Sequence, residues 1–359
     1  MLENMKKKIL TYLSLAEIPN KKMEAVMEIV EENGIDDIKK LVADKGVMSV
    51  LSANEYANLA KKFDVFDSYV RNLKSDGIEV IIIDDENYPN RLKDLPDAPL
   101  LLYAKGDASL LNSDCFSIVG TRMPSNYGKF VTEKLARELA EAGLTIVSGL
   151  AYGVDSLSHR SALEVGGKTI AVLGGGLNHI YPEVNTNLAE EIMKKGLVIS
   201  EYPPFSPPTK YTFPLRNRII AGLSLGTLIT EASKKSGTIH TKDYTLDYGR
   251  DLFAVPGNIN SSKSELPNEL IRSSQAECVI EADDILKFYG FDGVKKEEKT
   301  VEVSFDEQTI LNLLKDGEQD FDYLAQKSQL PTNILNSCLT TLEIRGLIRR
   351  MPSKTFMLA

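Results

Sequence analysis

Residues 144–155 read LTIVSGLAYGVD, an apolar run that passes directly into a glycine-rich turn. Consecutive Val, Ile and Leu residues are typical of a strand that is buried on both faces of a parallel sheet. Residues 128–142 carry apolar side chains at helical spacing, and residues 168–173 form another apolar run. This alternation predicts an α/β fold with a Rossmann-like, doubly wound, mostly parallel sheet. The other predicted strands cover residues 78–83, 100–104, 116–119, 196–200, 225–230 and 251–255.

The α/β pattern occupies the middle of a chain of 359 residues and predicts four regions. Residues 77–290 form the Rossmann-like domain. Residues 1–72 show apolar positions at helical spacing, which predicts a small N-terminal helical accessory domain, SAM-like or helix-hairpin-helix-like. Residues 291–304 are charged and are predicted to be a linker. Residues 305–359 predict three helices and a hairpin, the pattern of a C-terminal winged-helix domain.

Composition limits the cellular compartment, the metal content and the kind of nucleic-acid surface that we expect of the protein. No apolar run approaches the roughly 18 residues of a membrane helix, so we expect no membrane association. Three widely spaced cysteines indicate a reducing cytoplasm and no disulfide framework, and we expect Cys115 and Cys278 to be buried. The three histidines lack metal-ligand spacing, so no metal is expected. The net charge of −9 argues against a surface that coats nucleic acid, but it leaves room for a local cationic groove.

Glycine, together with serine or threonine, follows four of the predicted strands. Open α/β sheets bind their ligands at the carboxyl ends of the strands. Glycines let the backbone approach a ligand closely, and helix N-termini direct free N–H groups at anions. We therefore predict a phosphate-binding rim, although any one of these loops alone would be read as a tight turn. The rim consists of Gly120, Thr121, Arg122, Ser148, Gly149, Tyr152, Gly174, Gly175, Gly176, Glu231, Ser236, Gly237 and Thr238.

The glycine pattern does not match a nucleotide cofactor site. A dinucleotide fingerprint needs G-x-G-x-x-G, and residues 174–176 lack the third spaced glycine. A Walker A loop is also absent from the sequence. We expect no cofactor.

Residues 211–220, YTFPLRNRII, bring an aromatic ring and cations together. Pro214 is suited to the first turn of a helix, which places Arg216, Asn217 and Arg218 near a helix start. Arginine binds phosphate through two parallel hydrogen bonds, and Phe213 could stack on a base. A single-stranded nucleic-acid site needs both features, so we add Phe213 and the three following polar residues to the site. The alternative is that Phe213 is core and the arginines pair with acids.

Over residues 77–285 the chain resembles the DNA-processing protein A family (DprA, also called Smf). The resemblance rests on ordered motifs rather than on one fragment. These are residues 118–122 (IVGTR), 148–155 (SGLAYGVD), 158–160 (SHR), 181–182 (YP), 200–204 (SEYPP), 213–218 (FPLRNR), 231–232 (EA), 236–238 (SGT) and 255–257 (VPG).

The resemblance implies a non-enzymatic protein that binds and protects single-stranded DNA without sequence preference. It implies a homodimer formed through the Rossmann-like domain, and loading of the RecA recombinase during natural transformation in competent cells. The cationic pocket of the family maps here onto Arg122, Phe213, Arg216 and Arg218. The chain departs from the family at Tyr152, where a basic residue is usual, so one phosphate contact is in question.

Three further interpretations remain open. A nucleotide phosphoribohydrolase on the same fold variant would use Pro-Gly-Gly-x-Gly-Thr-x-x-Glu, of which residues 225–231 (LGTLITE) keep a fragment with Glu231 displaced by one position. His159 follows a glycine-rich loop, and we interpret it as a structural hydrogen-bonding residue rather than an acid-base catalyst. Residues 301–359 hold six Lys or Arg and eight Asp or Glu, so the winged helix suits protein docking at least as well as duplex DNA.

Overall fold

The centre of the molecule is a nine-stranded sheet, seen in a computed structural model that describes residues 4–291, 303–351 and 354–358. Its strands are β1 (Glu79–Ile82), β2 (Leu101–Gly106), β3 (Cys115–Val119), β4 (Thr145–Ser148), β5 (Thr169–Val172), β6 (Leu197–Ser200), β7 (Gly226–Ile229), β8 (Asp251–Ala254) and β9 (Glu277–Cys278). Their order is β1-β2-β6-β5-β4-β3-β7-β8-β9. The strands from β6 to β9 in this order pair in parallel, and β2 joins both β1 and β6 antiparallel.

The chain winds outward twice from β3. It passes through β4, β5 and β6 on one side, and through β7, β8 and β9 on the other. The strand order therefore reverses between β3 and β7, where open α/β sheets form a crevice. The predicted fold class is confirmed, and each of the eight predicted runs overlaps a strand. The two-residue strand β9 was not predicted, because it is too short to show a period.

Helices cover both faces of the sheet. The helices of this first part of the chain are α1 (Met5–Leu15), α2 (Asn20–Glu32), α3 (Ile38–Ala43), α4 (Lys45–Val50), α5 (Ala53–Lys61), α6 (Phe66–Ser75), α7 (Asn90–Lys93), α8 (Asn126–Glu141), α9 (Val154–Glu164), α10 (Thr186–Lys195), α11 (Thr212–Leu223), α12 (Thr238–Asp247), α13 (Glu265–Arg272) and α14 (Ala282–Phe288). Alternate residues of β3 point to opposite faces. Phe116 packs in the cluster that includes Leu135 of α8, and Val119 packs in the cluster that includes Ile219 of α11.

The N-terminal helices share one apolar core with the edge of the sheet. Leu10 and Leu13 of α1 are fully buried in the same cluster as Val80 of β1 and Tyr103 of β2. The hydroxyl of Tyr103 donates to Ser14 Oγ at 3.0 Å and accepts from Tyr69 at 3.0 Å. Because buried hydroxyls need partners, these bonds join α1 and α6 to β2. The helices of residues 1–72 thus pack on β1 and β2.

The chain divides into two compact units, Met1–Val294 and Lys295–Ala359. The second unit contains α15 (Phe305–Leu314), β10 (Gln319–Asp320), α16 (Phe321–Ser328), α17 (Thr332–Ile344), β11 (Ile348–Arg350) and β12 (Thr355–Leu358). Its strands pair antiparallel in the order β10-β12-β11. Leu324 of α16, Leu335 of α17 and Phe356 of β12 belong to one buried apolar cluster, which forms the core of this unit. The predicted winged-helix domain is confirmed.

Two sequence expectations have different outcomes. Cys115 is buried as predicted, and burial raises the pKa of its thiol to about 11. Cys278 is exposed, because the short strand β9 lies at the edge of the sheet, so its predicted burial is wrong.

The charged core of the predicted linker, residues 292–302, lies outside the described residues. Among the helices described, none combines the length and the apolar character needed to cross a membrane.

Candidate functional site

A cavity of about 790 Å³ opens at the carboxyl ends of β3, β4 and β7, where the strand order reverses. The chain turns out of the sheet there, so backbone N–H groups and side chains from several loops converge. Nine predicted site residues line this cavity: Gly120, Thr121, Arg122, Phe213, Arg216, Asn217, Ser236, Gly237 and Thr238. The structure therefore brings together two of the predicted loops, after β3 and β7, and the start of α11, and the loop after β4 adds Ala151 and Asp155 to the lining.

Arg122 is the exposed cation of the β3–α8 loop. The loop is held from both sides, because Thr121 N donates to Glu231 O at 2.7 Å and Val154 N donates to Thr121 O at 3.2 Å. Gly153 has a φ of 76°, and a side chain there would collide with the Thr121 carbonyl oxygen 2.5 Å away. No carboxylate of the described residues forms an ion pair with Arg122, so its guanidinium is available to an anion.

Arg216 is buried, in contrast to the sequence expectation of a free phosphate ligand. Its Nη1 donates to the carbonyl of Gly149, after β4, at 2.6 Å and to the carbonyl of Val172, at the end of β5. A Cβ on Gly149 would lie 2.5 Å from the guanidinium. Burial lowers the pKa of Arg216 to about 10, so the group stays charged at neutral pH. Arg216 therefore connects two strand ends beneath the cavity, and only a small part of it, 4%, is exposed.

Asp155 completes this buried connection. Its Oδ2 accepts from Gly149 N at 3.2 Å and from Ala151 N at 3.4 Å. Burial raises the pKa of Asp155, and the positive charge of Arg216 opposes that rise. The loop after β4 is thus held by a carboxylate at its amides and by a guanidinium at its carbonyl.

The space beside the backbone of glycines 174–176 is filled by other parts of the protein, so it is not open to a ligand. A Cβ on Gly174 would lie 2.9 Å from Phe213 Cδ1, so the phenyl ring is seated on this backbone. Gly175 and Gly176 are in similarly close contact with residues 203–208. The Gly176 N–H donates a hydrogen bond to Ser206 O in this segment, at 2.8 Å. The three glycines therefore make room for Phe213 and for the following loop, and they are not among the residues that line the cavity.

Arg218 faces away from the cavity that holds Phe213. Its Nη2 pairs with Glu201, and its Nε lies 3.7 Å from Asp97. Burial raises the pKa of Glu201, although Arg218 opposes the rise. Arg218 lines a separate cavity of about 810 Å³ on the other side of α11. The interpretation in which an arginine of this stretch pairs with acids therefore describes Arg218.

The remaining predicted residues lie around the cavity rather than in its lining. Ser148 is fully buried and donates to Ile118 O at 2.7 Å. Glu231 accepts from the Ser125 amide at 2.8 Å and from its hydroxyl at 2.5 Å, at the start of α8. Tyr152 is about half exposed. Within residues 4–291, 303–351 and 354–358, no group of three or more His, Cys, Asp or Glu is placed to hold a metal.

Sequence reasoning missed several residues of the cavity wall. Tyr181 packs against Phe213 with ring centroids 5.5 Å apart, and Lys210 is exposed with Nζ 5.0 Å from the centroid of the Tyr211 ring. Lys210 lies three residues before Phe213, close enough to have been included with the aromatic and arginine cluster. Tyr181 belongs to the family motif at residues 181–182, but nothing in that motif assigns it to the site, because only tertiary folding brings it to Phe213.

His159 is fully buried in α9. Its Nδ1 lies 2.6 Å from Thr169 Oγ1, and its Nε2 has no hydrogen-bond partner among the residues that the structure describes. Burial lowers the pKa of the imidazole from 6.5 to about 3, and the charge of Arg216 adds to this effect. His159 is neutral in the folded protein at neutral pH, which agrees with a structural hydrogen-bonding role.

We expect His159 to make the fold less stable in mild acid. Between pH 6.5 and 3 the unfolded chain binds a proton that the folded chain excludes, so stability falls as the pH falls. From pH 7 to pH 5 the loss is about 2 kcal/mol. Urea unfolding of the wild-type chain and of His159→Asn at both pH values should show this extra loss in the wild type alone. Equal losses in the two proteins would show that His159 does not titrate in this way.

Comparison with known proteins agrees with this architecture. Residues 79–290 match the family model described as DNA recombination-mediator protein A, and residues 294–354 match the DprA winged-helix domain. The chain is 42% identical to DNA processing protein DprA of Bacillus subtilis, over 60% of this chain and 72% of that protein. It is 41% identical to DprA of Streptococcus pneumoniae, over 66% of this chain and 78% of the relative.

Two solved structures share the fold. DprA from Streptococcus pneumoniae superposes with a TM-score of 0.68 at 34% identity, over 80% of this chain and 98% of that one. DprA from Helicobacter pylori, whose structure is described for its single-stranded-DNA-binding mode, superposes with a TM-score of 0.55 at 34% identity, over 60% of this chain and 97% of that one. The family model covers more than half of the chain, and the ordered motifs, sheet and winged helix agree with it. The chain therefore belongs to the DNA-processing protein A (DprA/Smf) family.

Proposed function

We propose that the chain binds single-stranded DNA, without sequence preference, in the cavity at the β3–β7 crevice. One observation carries this proposal: the exposed cations Arg122 and Lys210 line the same cavity as the rings of Phe213 and Tyr181. A single strand offers both phosphates and unstacked bases, and proteins bind it with cations and aromatic platforms together. The DprA of Helicobacter pylori binds single-stranded DNA, which supports the same ligand here.

The acidic net charge of −9 is compatible with this site. Affinity for DNA depends on the few cations that contact phosphates, rather than on the total charge. Arg122 is exposed and lines the cavity, whereas the charge of Arg218 is neutralised by Glu201 on the far side of α11. We therefore assign the phosphate contacts to Arg122 and Lys210, and a supporting role to Arg216.

We further propose a homodimer through the Rossmann-like domain, and loading of RecA onto bound DNA during natural transformation. The dimer is supported by two exposed side chains, Ile259 (90% exposed) and Ile280 (76% exposed), which follow the neighbouring strands β8 and β9. Strand β9 ends the sheet, and unpaired edges and exposed apolar side chains favour self-association. The recombinase role is supported by the family description. A cytoplasmic location is supported by three unpaired cysteines.

The second candidate, a nucleotide phosphoribohydrolase, requires Glu231 to reach a substrate. The carboxylate instead accepts two hydrogen bonds from Ser125 and lines a different cavity, of about 530 Å³. This geometry favours the non-enzymatic proposal. Release of free base from nucleoside monophosphates, lost in Glu231→Gln, would favour the enzyme instead.

The proposed function is tested by comparing the affinities for single-stranded and duplex oligonucleotides over a salt series. We expect tighter binding of the single strand, and affinity that falls steeply as salt rises. Equal affinities for the two DNA forms, or no binding of the wild-type chain at low salt, would contradict the proposal.

A further inference from the structure

Tyr181 and Phe213 form a pair of rings in the wall of the cavity. Their centroids are 5.5 Å apart and their planes are inclined by 47°. Such tilted contacts are among the favoured arrangements of aromatic pairs. Tyr181 is nevertheless 49% exposed, so much of its ring is left uncovered. The pair therefore presents aromatic surface to the cavity rather than burying it.

Contacts with the backbone of neighbouring loops fix the positions of both rings. Phe213 is seated on Gly174, where its Cδ1 would lie 2.9 Å and its Cα 3.3 Å from an added Cβ, so the ring cannot retreat toward β5. The segment that begins with Tyr181 is tied to the loop after β4, because Asn185 Nδ2 donates to Leu150 O at 2.9 Å and to Ala151 O at 3.3 Å. Both rings are thus positioned before any ligand arrives, which reduces the ordering cost of binding.

Tyr181 offers the cavity both its ring and its hydroxyl. The hydroxyl of Tyr181 has no hydrogen-bond partner in residues 4–291, 303–351 and 354–358. Its neighbours in the cavity include Arg122 and Lys210, which provide charge for phosphates but no flat apolar surface. A planar heterocycle attached to a phosphate chain would use both kinds of surface at once.

We propose that Tyr181 is a base-stacking residue, and that Tyr181 and Phe213 take two neighbouring bases of the strand. This inference rests on the proposed function and adds the way in which the site holds bases. Because the ring planes are inclined by 47°, two bases that lie flat on them cannot stay parallel to each other. The strand must therefore unstack and bend between these two bases. Paired, stacked bases of a duplex cannot meet this requirement without opening, so the ring pair favours single strands.

The first test is the affinity of ring-removing variants for an oligonucleotide. Tyr181→Ala should weaken binding by about tenfold, because stacking on one base is lost. Tyr181→Leu keeps apolar bulk and should be nearly as weak, whereas Tyr181→Phe should bind like the wild type. The salt dependence of binding should stay unchanged, because no phosphate contact is removed. Tyr127→Ala is the matched control, since Tyr127 is 44% exposed and lines the other cavity, of about 530 Å³.

The second test asks whether Tyr181 contacts one particular base of the strand. A single abasic position is moved along the oligonucleotide, and at one register the wild-type chain should lose about tenfold in affinity. Tyr181→Ala should show no further loss at that register, because base and ring act as one unit. Two adjacent 2-aminopurines at that register should lose their exciton circular-dichroism signal in the wild-type complex and keep it with Tyr181→Ala.

The outcomes separate this inference from the proposed function. If the wild-type chain binds single strands while Tyr181→Ala binds equally well, the stacking role is wrong and the function stands. The role is also wrong if Tyr181→Phe is as weak as Tyr181→Ala, since the hydroxyl would then be the binding group. A wild-type chain that binds no single-stranded DNA would overturn the function itself. Thermal melting of each variant excludes loss of the fold as the cause.

Discussion

Replacing Arg216 by alanine is expected to destabilise the chain by about 3–5 kcal/mol, the loss typical when one partner of a buried charge pair is removed. The carbonyls of Gly149 and Val172 would lose their donor, and Asp155 would lose the positive charge that favours its ionised form. Unpaired buried polar groups carry the full cost of their lost hydration. The free energy of unfolding, measured in urea at pH 7, is the direct readout.

Arg216→Lys is the matched variant for this prediction. Lysine keeps the charge, but its compact ammonium group cannot reproduce the planar fork of a guanidinium, so it should recover only part of the lost stability. Binding of single-stranded DNA should weaken together with stability, because the loops after β4 and β5 would lose their connection. A stable Arg216→Ala chain that has lost only DNA affinity would show that Arg216 is a phosphate ligand after all.

Replacing Arg122 by alanine is expected to do the opposite: to weaken DNA binding while leaving the fold intact. Arg122 is exposed and has no ion-pair partner in the described part of the chain, so its removal leaves no buried group unsatisfied. A charge-assisted hydrogen bond to a phosphate is worth about 1.5–3 kcal/mol, so affinity should fall by about tenfold or more. The slope of log affinity against log salt should shrink by about 0.7, the value for one phosphate contact on a single strand.

Arg272→Ala is the control for Arg122→Ala. Arg272 is also an exposed arginine, at the end of α13, and it is not among the residues that line the cavity at the β3–β7 crevice. Its removal changes the net charge by the same amount, so it measures the effect of charge alone. Equal losses of affinity in the two variants would show that Arg122 acts only through net charge, which contradicts a direct contact.

Arg122 is exposed and Arg216 is buried, and the sequence shows only part of the reason for this difference. Both precede or begin helices near glycine-rich loops, and both were predicted to be phosphate ligands. Glycine-rich loops after strands correctly predicted which segments meet, because parallel strands end at one edge of the sheet. They did not predict which loops would be filled, as residues 174–176 are by Phe213 and by residues 203–208.

The sequence alone predicts the fold class, the eight longer strands of the sheet, the winged helix and the strand ends at which the candidate cavity lies. Apolar runs and their periods suffice for this, because burial on one or two faces leaves a local pattern. The different environments of Arg216 and Arg218 follow from tertiary packing and leave no local pattern in the sequence. Residues two apart on a helix point about 200° apart, so they face opposite sides of α11. The partners that define those sides, the strand-end carbonyls of β4 and β5 for one and Glu201 for the other, come from distant parts of the chain.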